Sequence, residues 1–173
     1  SQRVNGGSNA DTITSAGGAI NLSTDAGTDT LNFTQAQLTA ATVDGGDDSD
    51  TVVITAASTA IVDADFTNFT TVEVLQLTGA STAVLGTEAQ QAGFSTIKTG
   101  DGDTDLTIGG FPVTIDASAM TAEDTLTISG SGAITISGLV AQLTSDATGQ
   151  LTISTTAAAT QTIRFEADPT GTL

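Results

Sequence analysis

Aliphatic and polar residues alternate along most of the chain, in short runs separated by glycine and aspartate. The runs are DTIT (11–14), DTLNF (29–33), DTVVIT (50–55), TVEVLQLT (71–78), DLTI (105–108), VTI (113–115), DTLTI (124–128), AITI (133–136), LTI (151–153) and TIRF (162–165). A period of two marks strands with one face buried and one face wet. Helical periodicity is confined to TQAQLTA (34–40), DADFTNF (63–69) and GTEAQQAG (86–93), each long enough for a turn or two of helix. Threonine supplies 35 of 173 residues, and β-branched residues favour strands over helices. The pattern predicts an all-β chain.

The spacing narrows the architecture. An aspartate opens the D-T-aliphatic phrase at Asp11, Asp29, Asp50 and Asp124. Farther along, Ile115, Leu126 and Ile136 recur at about half the interval that separates the first three aspartates. Repeats of about 20 residues are what a solenoid produces when successive coils stack. A right-handed parallel β-solenoid over residues 1–173 is therefore expected, with a sub-boundary near 80–95 and tandem β-sandwich domains as the alternative. Its core would be ladders of Ile13, Leu31, Val52, Leu75, Leu77, Ile108, Ile115, Leu126, Ile128, Ile134, Ile136, Leu151 and Ile153. Thr12, Thr14, Thr30, Thr51, Thr125 and Thr127 would face outward.

Charge changes the picture. Twenty acidic residues stand against three basic ones, giving a net charge of −17 without a histidine. Nucleic acid and anionic membrane surfaces need clustered Lys and Arg, so neither is an expected partner. No apolar run approaches the ~20 residues of a membrane-spanning helix. Without His or Cys the usual acid–base and nucleophilic groups are missing, and without Trp or Tyr so are the usual sugar-stacking platforms. An enzyme is not expected. The acidity points to cations instead.

The aspartates cluster on glycine-rich turns. In register, GGSNADTIT (6–14), TDAGTDTLN (24–32) and GGDDSDTVV (45–53) align. Crowded carboxylates repel, and three basic residues cannot answer them. A calcium ion takes about six to eight oxygens and accepts turn carbonyls beside aspartate side chains. The aligned turns resemble the repeats-in-toxin nonapeptide G-G-x-G-x-D-x-U-x of the calcium-binding β-roll. That resemblance places Asp11, Asp29 and Asp50 at the liganding position and Asn9, Gly27 and Asp48 where the backbone takes positive φ. Asp25, Asp44 and Asp47 lie on the same turns. Asp101, Asp103 and Asp105 in TGDGDTDLTI form a second, out-of-register cluster, and Asp124 follows in AMTAEDTLTI, which has lost the glycines.

The phrases DADFTNFTTVEVLQLTGAS (63–81) and VTIDASAMTAEDTLTISGSG (113–132), in an Ala/Thr/Gly-rich background, look like those of bacterial surface-layer proteins. That likeness implies a secreted, extracellular, calcium-stabilised structural segment at the bacterial cell surface. It would self-associate through calcium bridges, with a cell-surface glycan as a second candidate partner. An adhesin or ice-binding module is the alternative function. The abrupt SQRVNGG and DPTGTL ends suggest a fragment.

Overall fold

The runs TIT, TLNF and TVVI become strands that lie side by side in parallel, with Ile13 beside Leu31 and Leu31 beside Val52. The computed structural model describes residues 2–138, 142–145, 151–154 and 163–165. In chain order come β1 (Gln2–Asn5), β2 (Thr12–Thr14), β3 (Ile20–Ser23), β4 (Thr30–Phe33), α1 (Gln35–Leu38), β5 (Ala41–Asp44) and β6 (Thr51–Ile54). Then follow β7 (Ser58–Ile61), a 3-10 turn (Asp63–Phe66), β8 (Phe69–Thr70), β9 (Val74–Leu77), β10 (Ser81–Leu85), α2 (Thr87–Ala92) and β11 (Thr96–Lys98). The last are β12 (Thr104–Ile108), β13 (Val113–Asp116), β14 (Thr125–Gly130), β15 (Ile134–Ser137), β16 (Gln142–Ser145), β17 (Leu151–Ser154) and β18 (Ile163–Phe165).

Every strand pairing among these is parallel, and the sheets stack into a β-solenoid. A β-sandwich would need antiparallel pairs. The spine is an eight-stranded sheet with one strand from each coil, β2-β4-β6-β9-β11-β13-β15-β17. A four-stranded flank, β1-β3-β5-β8, faces it over the early coils, and a six-stranded flank, β7-β10-β12-β14-β16-β18, over the later ones. The two flanks overlap where β7, the 3-10 turn and β8 follow one another. At that exchange the helical stretches stack, α1 on the 3-10 turn and the 3-10 turn on α2.

The core is a set of ladders, one rung per coil. Leu31, Val52, Leu75, Ile97, Ile115 and Ile136 share a register position and are buried, while Ile13 on the first coil is half-buried. Leu77, Ile108, Leu126, Ile128 and Ile134 are buried as expected. Leu151 and Ile153 stand on β17, but their side chains, like Thr162, lie outside the described residues. Where the flanks exchange, the core is filled by aromatics in edge-to-face contact: Phe33 on Phe69 (6.0 Å), Phe69 on Phe66 (5.6 Å) and Phe66 on Phe94 (5.0 Å). No helix among the described residues is long and apolar enough to cross a membrane.

Candidate metal centre

The three aligned turns occupy one corner of the solenoid, where the chain passes from the four-stranded flank into the spine. Their entries are fixed by the same backbone bond in each coil: Gly6 N–H to the Ser23 carbonyl, Thr24 N–H to Asp44, and Gly45 N–H to Thr70. Their exits match too, with Thr30 N–H on the Asp11 carbonyl, Thr51 on Asp29 and Val74 on Asp50. The turns therefore stack in register, and Asp11, Asp29 and Asp50 form a column.

Within the column each carboxylate holds the coil before it. The Asp11 amide donates to Asp29 Oδ1 (2.7 Å), the Asp29 amide to Asp50 Oδ1 (2.8 Å), and the Asp50 amide to Glu73 Oε2 (2.9 Å). Glu73 is thus a fourth member, although its turn is contracted to Thr71–Glu73 and the sequence pattern does not mark it. Asp29 and Asp50 each commit one oxygen to this chain of bonds, while Asp11 enters it through its amide alone. Oδ2 of Asp11, Asp29 and Asp50 is buried and has no hydrogen-bond donor. Asp29 and Asp50 are fully buried.

Carboxylates stacked this closely repel one another. Adjacent strands lie about 4.8 Å apart, so two neighbouring carboxylates repel by about 3 kcal/mol at an effective dielectric of about 20. The Asp50 carboxyl is raised from 3.8 to about 6, chiefly by burial. The charges of Asp29, Glu73 and Asp48 add to the rise, and the hydrogen bond from the Asp29 amide opposes it. A buried acceptor without a donor is normally answered by a proton, a water or an ion.

Glycine shapes the space beside two of these oxygens. A Cβ built on Gly45 would lie 2.6 Å from Asp50 Oδ2 and 2.1 Å from the Thr71 carbonyl oxygen of the next coil. On Gly6 it would lie 2.7 Å from Asp11 Oδ2 and 3.1 Å from the Thr24 carbonyl oxygen. In both turns a carboxylate oxygen and a carbonyl oxygen of neighbouring coils converge where any other residue would put a methylene. Among the described residues no three carboxylates gather at one point, so a cation here would draw its other oxygens from the backbone. That donor set, a carboxylate oxygen beside a carbonyl oxygen, suits a hard ion such as Ca²⁺.

The remaining predicted residues divide by place. Positive φ occurs at Gly27 (122°) and Asp48 (77°), as the motif requires, but not at Asn9. A second left-handed position, at Gly7, Asp25 and Gly46, lets each turn fold tightly over the next. Asp25 Oδ1 accepts from the Ser23 hydroxyl, and Asp44 Oδ1 from the Thr71 hydroxyl. Asn9, Asp25, Asp44, Asp47 and Asp48 are exposed at the rim of the corner.

Asp101 and Asp103 lie at a different corner, between the spine and the six-stranded flank, and Asp105 stands on β12; all three are exposed. Asp103 Oδ1 accepts the Thr125 amide (2.7 Å). Asp124 closes its own turn: the Thr121 amide and hydroxyl donate to its Oδ2, and these bonds hold the carboxyl below its usual range. None of these four joins the column. Comparison with protein-family models, with curated proteins and with solved structures returned no match.

Proposed function

We propose that the chain is a calcium-stabilised structural segment of a secreted bacterial surface-layer protein. The observation that carries this reading is the column of buried carboxylate oxygens without donors, beside glycines that bring carbonyl oxygens up to them. Asp11 Oδ2 with the Thr24 carbonyl, and Asp50 Oδ2 with the Thr71 carbonyl, would hold ions that cancel the repulsion and lock successive coils together. Folding is then linked to the ion, because the column exists only in the stacked state. The exposed carboxylates serve a second purpose. Asp47 and Asp48 at the acidic corner, Asp101 and Asp103 at the corner between β11 and β12, and Asp105 on β12 offer weaker sites through which calcium bridges copies into a lattice. No catalytic role is assigned.

The test is circular dichroism with light scattering during calcium titration of metal-free protein, with magnesium as control. The reading expects a calcium-specific gain of β signal at low calcium and a rise of scattering at higher calcium. A spectrum already β-rich and unmoved by either ion contradicts it.

One observation favours the adhesin or ice-binding alternative. A single register position on the outer face of the spine carries Thr12, Thr30, Thr51, Thr96, Thr114 and Thr135, broken among the described residues only by Val74. Its neighbouring outward rank is mixed, running Thr14, Asn32, Val53, Gln76, Lys98, Asp116 and Ser137. Thermal hysteresis of the calcium-loaded protein separates the two readings, since a lattice segment shows none.

A further inference from the structure

The three turns of the acidic corner are not equivalent, and the difference lies in the residue that opens each one. We propose that the column takes cations at its first and third turns only, because the Thr24 side chain stands where the second ion would go. This rests on the reading of the corner as a calcium site.

In the first and third turns the opening residue is Gly6 or Gly45, and the turn's own aspartate Oδ2 meets the carbonyl of the next coil beside it. In the second turn the opening residue is Thr24. It is fully buried, and its hydroxyl donates to the Gly45 carbonyl oxygen at 2.5 Å. Gly45 O is the counterpart of Thr24 O and Thr71 O, the carbonyls that face the glycines in the other two turns. The threonine hydroxyl therefore satisfies, from within the chain, the carbonyl that an ion would otherwise take. Its side chain also stands where, in the turns above and below, the carboxylate and carbonyl oxygens close in on a glycine.

A hydroxyl is an incomplete substitute. It has one proton, and that proton goes to the carbonyl, so Asp29 Oδ2 stays buried without a donor. The second turn is closed to an ion but still carries an uncompensated carboxylate. Replacing Thr24 with glycine would free the Gly45 carbonyl and leave it facing Asp29 Oδ2, as in the other two turns. The chain would then gain an ion and depend on it more strongly.

Equilibrium dialysis against calcium, with bound metal counted by mass spectrometry, tests this on the full chain. The buried corner sites should fill at lower calcium than the exposed carboxylates. The wild type is expected to hold two tightly bound ions. Asp11→Asn and Asp50→Asn should each lower the count by one, and Asp29→Asn should leave it at two. Thr24→Gly should raise it to three, and Thr24→Ser, which keeps the hydroxyl, should not. A melting series adds a change of sign: Thr24→Gly should melt below the wild type in metal-free buffer and at or above it in saturating calcium.

A wild-type count of three that Asp29→Asn reduces to two overturns the inference and leaves the calcium reading intact. So does a Thr24→Gly count that stays at two in protein shown to be folded. A wild type that holds no tight ion overturns the calcium reading itself. If Thr24→Gly folds only in calcium, its count is taken on protein refolded in calcium, and the Asp29→Asn count decides independently.

Discussion

Replacing Asp50 with asparagine should stabilise the metal-free protein at neutral pH, although it removes a residue from the centre of the acidic column. The folded state holds this carboxyl at about 6, against 3.8 in the unfolded chain. Because the folded value is the higher one, the unfolded chain gives up its proton first. Stability from the protonated group is therefore fully present below about pH 4 and is lost as pH rises through 6. A gap of about two units, at about 1.4 kcal/mol each, makes the loss roughly 3 kcal/mol. An asparagine carbonyl can still accept the Asp29 amide, as Oδ1 does at 2.8 Å. Its NH₂ would face the Thr71 carbonyl in place of a second carboxylate oxygen. Urea unfolding in metal-free buffer at pH 4 and pH 7.5 measures the effect. Asp50→Asn should match the wild type within about 1 kcal/mol at pH 4 and exceed it by up to about 3 kcal/mol at pH 7.5. In saturating calcium the order should reverse. If the variant is the weaker protein at both pH values without metal, Asp50 is already compensated in the folded chain and the column needs no cation.

Four further outcomes follow from the packing. Gly45→Ala should cost about 2–4 kcal/mol, because its methyl meets the Thr71 carbonyl and Asp50 Oδ2. Gly7→Ala, with open space around it but φ of +111°, should lose only about 1–2 kcal/mol by thermal melting in calcium. Asp63→Ala removes the acceptor for three amides at the start of α2, those of Gly86 (2.7 Å), Ala89 (2.9 Å) and Glu88 (3.0 Å). About 2 kcal/mol should be lost, and hydrogen exchange should quicken first at those amides. Phe66→Ala opens the aromatic chain at its middle and should cost about 3–5 kcal/mol by denaturant unfolding.

The first spine strands were legible because they alternate and open on an aspartate, and DLTI, DTLTI and TIRF of the six-stranded flank were legible by their alternation. The four-stranded flank was not. QRVN has a single apolar residue, and INLS and ATVD alternate but lack the opening D-T phrase that marks the first spine strands. The first column was legible as far as Asp50, where turn length is conserved from coil to coil. Glu73 was hidden because its turn loses three residues as β8 shrinks to two and the four-stranded flank ends. The same exchange of flanks explains why TGDGDTDLTI falls out of register with the earlier turns: its aspartates belong to another corner, leading from β11 to β12. Thr24 gave no signal at all. In the aligned turns it reads as a missing glycine, and only its hydroxyl bond to the Gly45 carbonyl shows what the substitution does.

A crystal structure of the chain grown in calcium, with anomalous diffraction collected at long wavelength, tests the acidic column most directly. Anomalous peaks are expected beside Gly6 and Gly45, each bonded to the aspartate Oδ2 of its own turn and to the Thr24 or Thr71 carbonyl. Peaks confined to the exposed carboxylates, with water or nothing against Asp11 and Asp50, would contradict it.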